Sequence, residues 1–207
     1  MARDTTLAYY DRNAPDIAAG YESVDMSRTL EGVSRYLPEG AAVLEIGTGS
    51  GRDAAWLLER GFSVTGVDGS RRMIGEAVSR HPELHDRIRH CVLPAPLPFP
   101  AERFDGALSL ATIMHLPEEA IPPVLREIMR VLRPGGTAAL SVSVERSGLN
   151  ERGEDGRGRH FTVLSVATWR RLLGAAGFEM VRDWANPDAT GRPGISWATL
   201  IARRPPE

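Results

Sequence analysis

Apolar positions along this chain fall into short runs separated by polar, glycine-punctuated breaks, and the period of each run predicts its element. Residues 42–46 (AVLEI) are almost continuously apolar and run into glycines, the pattern of a strand buried on both faces of a parallel sheet. Residues 52–60 carry Ala54, Ala55, Leu57 and Leu58 on one helical face, and Gly61 stands where a helix ends. A second strand is expected over 62–67. It is followed by a helix capped by Ser70 and running to Arg80, with Met73, Ile74, Ala77 and Val78 on one side and Pro82 beyond its end. A third strand is expected over 87–93, before a proline-rich loop (LPAPLPFPAER) whose missing backbone donors exclude regular structure. The fourth strand covers 104–111. A helix over 117–132 shows an apolar period in Val124, Leu125, Ile128, Met129 and Leu132; Pro122 and Pro123 delay or kink its start, and RPGG (133–136) stops it.

After a fifth strand over 137–144 the pattern changes. Residues 145–160 (ERSGLNERGEDGRGRH) are polar, glycine-rich and dense in both charge signs, which predicts a long surface loop, either functional or disordered. Ser165 caps a further helix ending at Gly177, and strands over 178–184 and 197–203 are close enough in sequence to form an antiparallel hairpin. The expected fold is α/β: a Rossmann-like, doubly wound sheet of seven strands, mostly parallel with an antiparallel C-terminal hairpin and helices on both faces. One domain over 1–207 is expected, with an N-terminal helical segment (1–38), a core (39–144) and a C-terminal part (145–207).

Composition narrows the chemistry. A formal net charge of −2 gives no general attraction to a polyphosphate, so no nucleic-acid partner is expected and small-molecule chemistry is the better expectation. Cys91 is the single cysteine, so no intrachain disulfide can form. The polar start MARDTTLAYYD does not read as a signal peptide, and no apolar run reaches the length of a membrane span; a cytoplasmic protein without a membrane partner, monomer or homodimer, is expected. His81, His85, His90 and Cys91 are near one another but lack the paired spacing of a zinc site, so no metal is expected.

The stretch VLEIGTGSGRD joins the first strand to the first core helix. Gly47, Gly49 and Gly51 permit a tight turn and close backbone approach to a ligand. In the dinucleotide fingerprint G-x-G-x-x-G the third glycine would fall one residue later, where Arg52 stands, and this argues against a nicotinamide dehydrogenase. Glu45 argues the same way, because a carboxylate two residues before the turn repels a pyrophosphate but favours an ammonium group. Asp68 ends the second strand about twenty residues further on, where an acid binds ribose hydroxyls. A ligand with both a ribose and a cationic amino-acid end has the composition of S-adenosyl-L-methionine.

VLEIGTGSG, VTGVDGSRRMI, FDGALSLATIMHLP and LREIMRVLRPGGTAALSV occur in this order over residues 40–144. Together they resemble the motifs of class I S-adenosylmethionine-dependent methyltransferases, particularly the small bacterial ones of the ubiquinone-biosynthesis and tellurite-resistance types. The resemblance implies that Glu45, Gly47 and Gly49 hold the methionine end of the cofactor and Asp68 its ribose. Along the same motifs the candidate contacts are Thr48, Gly51 and Arg52 on the first turn, Gly69 and Met73 after the second strand, Val92 and Leu93 after the third, and Leu110 at the end of the fourth. Where the family often has an acid for the adenine amino group, this chain has Leu93, so the expected adenine contact is a backbone carbonyl near Val92 and Leu93, with Met73 as an alternative packing surface.

His115, in ATIMHLP after the fourth strand, is the candidate catalytic base, with an expected pKa near the ordinary value of about 6.5; the alternative is a packing residue next to the cofactor. Glu118 and Glu119, the nearest other candidates, are expected to face outward. For the acceptor side, Tyr9, Tyr10 and Tyr21 belong to a segment that related enzymes use as a lid, and Arg157, Arg159 and His160 form a candidate clamp for an anionic group. The expected reaction is methyl transfer to an O, N or S atom of a small-molecule acceptor, mainly by alignment. A peptide or protein acceptor, or cofactor binding without transfer, are the alternatives.

Overall fold

Val43 and Leu44 are chain neighbours, both without measurable solvent exposure, and they pack into two different cores. The same division separates Ala138 from Ala139 and Leu200 from Ile201. Alternate strand residues leave a sheet on opposite faces, so this sheet is covered on both sides.

The computed structural model describes residues 2–206, with side chains from residue 5 onward; Met1 and Glu207, the ends of the expected domain, lie outside the described residues. The strands are β1 (Ala42–Ile46), β2 (Ser63–Asp68), β3 (Ile88–His90), β4 (Phe104–Leu110), β5 (Leu132–Arg146), β6 (Glu179–Pro187) and β7 (Ile195–Arg203). They form one seven-stranded sheet in the order β3-β2-β1-β4-β5-β7-β6. The first five are mutually parallel, and β7 runs antiparallel to both β5 and β6. The helices are α1 (Ala2–Glu22), α2 (Ser27–Ser34), α3 (Arg52–Glu59), α4 (Arg71–Arg80), α5 (Ile121–Val131) and α6 (Val166–Ala175). Val124, Leu125 and Ile128 of α5, with Trp169 and Leu173 of α6, fill one face; Val33 of α2 and Ala54 and Leu57 of α3 fill the other.

Local chemistry accounts for the departures from the expected boundaries. β3 stops at His90 instead of continuing to residue 93, because Pro94 and Pro96 supply no ladder donors. Pro122 and Pro123 lie in the first turn of α5, where no intrahelical donor is required, so they delay the helix without bending it. RPGG ends α5 and then bulges from the ladder, since Phe104 pairs with Leu132 but Gly106 pairs with Thr137. The β6–β7 hairpin is longer than expected at its turn end. Asp188 organises the turn by accepting hydrogen bonds from Arg192, Thr190 Oγ1 and the Trp197 indole N–H.

α1 carries a break at Asn13 (φ −115°, ψ 18°), two residues before Pro15, and Asn13 Nδ2 donates to the Tyr9 carbonyl at 2.8 Å. Ala14, Ala18 and the partly buried Tyr10, Ile17 and Tyr21 then pack with Met73 of α4, laying α1 across the carboxyl ends of the strands. No described helix is long and apolar enough to cross a membrane.

Candidate active site

The strand order reverses between β1, whose other neighbour is β2, and β4, so the β1–α3 turn opens into the crevice where doubly wound sheets bind ligands. Gly47 and Thr48 donate their N–H groups to the Val67 carbonyl at 2.8 and 3.1 Å, tying the turn to β2. Gly47 has φ +84°, and a Cβ there would overlap the Thr112 side chain; Gly49 has φ +58°. Both positions therefore need glycine. Asp68 completes the cradle: its Oδ2 accepts the Gly49 N–H at 2.9 Å and its Oδ1 accepts the Ser70 N–H at 2.8 Å. Burial raises its pKa, and these two N–H groups oppose the rise. A carboxylate has about four acceptor positions, so two remain for hydroxyl donors.

Glu45 departs from expectation. It lies beneath the turn and not on the cavity wall; its carboxyl is 3% exposed, and Oε2 has no hydrogen-bond partner among the described residues. Burial raises its pKa well above the usual carboxylate range, the neighbouring Asp53 adds to the rise, and Arg52 opposes it. A cation above the turn would favour the charged form. Gly51 is also off the wall: it is the N-cap of α3, and a Cβ there would press on Leu84, His81 and Ala77, so it serves helix packing.

α1 forms the roof. Tyr10 and Tyr21 are eleven residues apart, about three helical turns, and both reach down to the cavity. Their hydroxyls lie 3.2 Å apart, and the Tyr10 hydroxyl is 3.2 Å from His115 Nε2. His115 Nδ1 is 2.6 Å from the His160 carbonyl, which can only accept. The proton is therefore on Nδ1, Nε2 accepts from the Tyr10 O–H, and Tyr10 oxygen accepts from Tyr21. Burial lowers the His115 pKa to about 4, a correction to the expected 6.5; the His160 carbonyl opposes the shift, while the charges of Arg159 and Arg146 add to it. Glu118 and Glu119 are exposed, as expected. Arg52 fastens the far end of α1 through the Tyr21 and Val24 carbonyls.

These elements enclose a cavity of about 870 Å³. Small-molecule sites span roughly 300–1,000 Å³, and this space lies near the upper end of that range. Of the residues singled out from the sequence, Gly47, Thr48, Gly49, Arg52, Asp68, Gly69, Met73, Val92, Leu93, Leu110, His115, Tyr9, Tyr10, Tyr21, Arg157 and Arg159 line it. His160 does not: its imidazole bonds the Arg152 carbonyl and Thr162 Oγ1, and only its backbone carbonyl serves His115. The 145–160 loop is folded against the site, with Arg159 paired to Asp155 and the His160 N–H donated to Thr6 of α1 at 2.9 Å. Arg146, Asp188, Arg192 and Trp197 also line the cavity. Sequence reading missed them, although Arg146 ends a parallel strand at its carboxyl end, the place where site residues are expected. Among the described residues no cluster of three or more His, Cys, Asp or Glu could hold a metal ion.

Comparison with known proteins adds a family. Residues 19–183 match the model of a methyltransferase domain family. The methyltransferase GfsG of Streptomyces halstedii is 35% identical over 116 residues, covering 54% of this chain and 41% of that protein. The ubiquinone biosynthesis O-methyltransferase of Psychrobacter cryohalolentis is 31% identical over 133 residues, covering 61% and 48%. The chain thus spans half or less of the length of these curated relatives. Among solved structures, the Burkholderia thailandensis 1,6-didemethyltoxoflavin-N1-methyltransferase, with bound 1,6-didemethyltoxoflavin and S-adenosylhomocysteine, superposes with a TM-score of 0.80 at 25% identity, covering 98% of this chain and 88% of that one.

Proposed function

The chain belongs to the class I S-adenosylmethionine-dependent methyltransferase family, and from that premise we propose that it transfers a methyl group from S-adenosylmethionine to an O, N or S atom of a small molecule held in the same cavity. The observation that carries this reading is the cradle itself: two positive-φ glycines, the Asp68 carboxylate with spare acceptor positions, and the orphaned Glu45 oxygen under the turn. That donor set matches a ligand with ribose hydroxyls and a cationic amino-acid end. When bound, S-adenosylmethionine would supply an activated methyl group carried on a sulfonium.

The chain's own residues do the rest. Asp68 accepts from the ribose hydroxyls, the Gly47–Gly49 backbone receives the methionine end, and Glu45 stabilises the ammonium by its charge from below. Met73, Val92 and Leu93 provide the apolar wall for the adenine. His115 is a weak base, so its part is to orient the acceptor hydroxyl or amine by accepting a hydrogen bond at Nε2, in exchange for Tyr10. Holding the reactants in line supplies most of the acceleration. The enclosure by α1 favours a small acceptor over a protein surface.

The test is calorimetry with S-adenosylhomocysteine, together with consumption of S-adenosylmethionine across a panel of hydroxy, amino and thiol acceptors. Binding and methylated product are expected. Binding with no product from any acceptor would favour a cofactor-binding protein without transfer, and no binding at all would remove the reading.

A further inference from the structure

Four arginines, Arg146, Arg157, Arg159 and Arg192, stand on the acceptor side of the cavity. Two are already neutralised. Asp155 takes Arg159 through Nε and Nη2 at 2.9 and 2.6 Å, and Asp188 takes Arg192 at 3.0 and 2.7 Å. Arg157 projects into solvent. Arg146 is different: it is partly buried, its guanidinium carbon stands 3.6 Å from the centre of the Phe161 ring, and among the described residues its side chain makes neither a hydrogen bond nor an ion pair. Phe161 is only 3% exposed and packs in turn against His115, with ring centres 4.5 Å apart. The unpaired guanidinium is therefore one ring away from the residue that faces the acceptor.

A charged group partly withdrawn from water without a partner is costly, and here two further cations oppose it: burial, then Arg159 and Arg192, hold the Arg146 pKa below the usual guanidinium value, while Asp155 and Tyr10 act the other way. The Phe161 ring occupies one side of the guanidinium and its N–H donors are unused, and such a fork receives a carboxylate or phosphate through two parallel hydrogen bonds. We propose that the methyl acceptor is an anion whose carboxylate or phosphate docks on Arg146, with Phe161 as the platform that positions the guanidinium. The inference rests on the reading of the cavity as a methyltransferase site. It gives Arg146 a specificity role: the anion anchors the acceptor, and a separate nucleophilic atom meets the methyl.

The experiment uses the full chain saturated with S-adenosylhomocysteine and titrated with salicylate, its neutral counterpart salicylamide, and inorganic phosphate, in wild type, Arg146→Gln and Arg146→Lys. The loaded wild type should bind salicylate or phosphate and bind salicylamide at least tenfold more weakly. Arg146→Gln should weaken anion binding roughly 10- to 100-fold, with S-adenosylhomocysteine affinity unchanged, and Arg146→Lys should recover part of the loss. Tighter binding of phosphate than of salicylate identifies a phosphate-bearing acceptor, and the reverse a carboxylate. Equal anion affinity in wild type and Arg146→Gln, equal binding of salicylate and salicylamide, or no anion binding to the loaded wild type at millimolar concentration overturns the proposal. If Arg146→Gln fails to fold, full anion affinity in wild type and a loss in Arg146→Lys supports it, whereas no loss overturns it. Failure of S-adenosylhomocysteine to bind wild type strikes the methyltransferase reading; intact cofactor binding without dependence on Arg146 strikes only this one.

Discussion

Asp68 carries two tasks on one carboxylate. It shapes the glycine turn by accepting the Gly49 and Ser70 N–H groups, and under the proposed function its remaining lone pairs take the ribose hydroxyls. Asp68→Ala should therefore weaken S-adenosylhomocysteine binding by about 1.5–3 kcal/mol for each lost ribose hydrogen bond and also lower the melting temperature, because two backbone donors lose their acceptor. Calorimetry and thermal unfolding of the same variant measure both; unchanged affinity in a folded protein would take Asp68 out of the site. The place of this acid on the cavity wall could be read from the sequence because it ends a strand beside the glycine turn. Arg146 sits at a strand end too, yet the apolar run stops at Val144, and nothing in a linear pattern tells that Phe161 lies beneath it. Glu45 shows the converse: its position beside the turn was readable, but its depth below the cavity wall depends on the packing of three strands.

At the scale of elements, α1 decides how the cavity is closed. Its apolar residues are spread around the helix, which breaks at Asn13, so periodicity alone could say little more than that a helical segment precedes the sheet. Its anchors are hydrogen bonds between residues remote in sequence: Tyr10 with His115, Thr6 with the His160 N–H, and Asp11 with Ser70 Oγ at 2.6 Å. The core strands and helices, by contrast, were legible because each buries a continuous or 3.6-period apolar run. Asp11→Ala removes a charged acceptor from the N-terminus of α4, an interaction of the class worth about 1.5–3 kcal/mol. Amide hydrogen exchange in α1 should rise roughly tenfold or more while the strands keep their protection, and saturating S-adenosylhomocysteine should restore part of the difference. Equal exchange in both proteins would mean that α1 is held by its apolar contacts with α4 instead.

Over the whole molecule, the net charge of −2 conceals a cavity lined by charges of both signs in which the Arg146 side chain is left without an acid partner among the described residues. An average argued against general attraction to a polyphosphate but was silent about a single anionic group, because composition carries no coordinates. The pH dependence of stability is likewise a property of the whole chain to which one residue contributes. Folded His115 titrates at about 4 and unfolded histidine near 6.5. Between those values the unfolded chain binds a proton that the folded one refuses, so this residue's contribution is present above 6.5 and is lost as pH falls toward 4, on the order of 1–3 kcal/mol across the interval. The urea midpoint of His115→Gln should accordingly fall less steeply than that of wild type between pH 6.5 and 4. Parallel curves would show that His115 stays accessible to protons in the folded state.

Tyr21 stands over the glycine turn, with its ring 3.5 Å from where a Gly49 Cβ would lie, while Tyr10 on the same helix stands over His115. One helix thus roofs the glycine turn and His115 together, so a substitution that displaces α1 should be felt at both places at once.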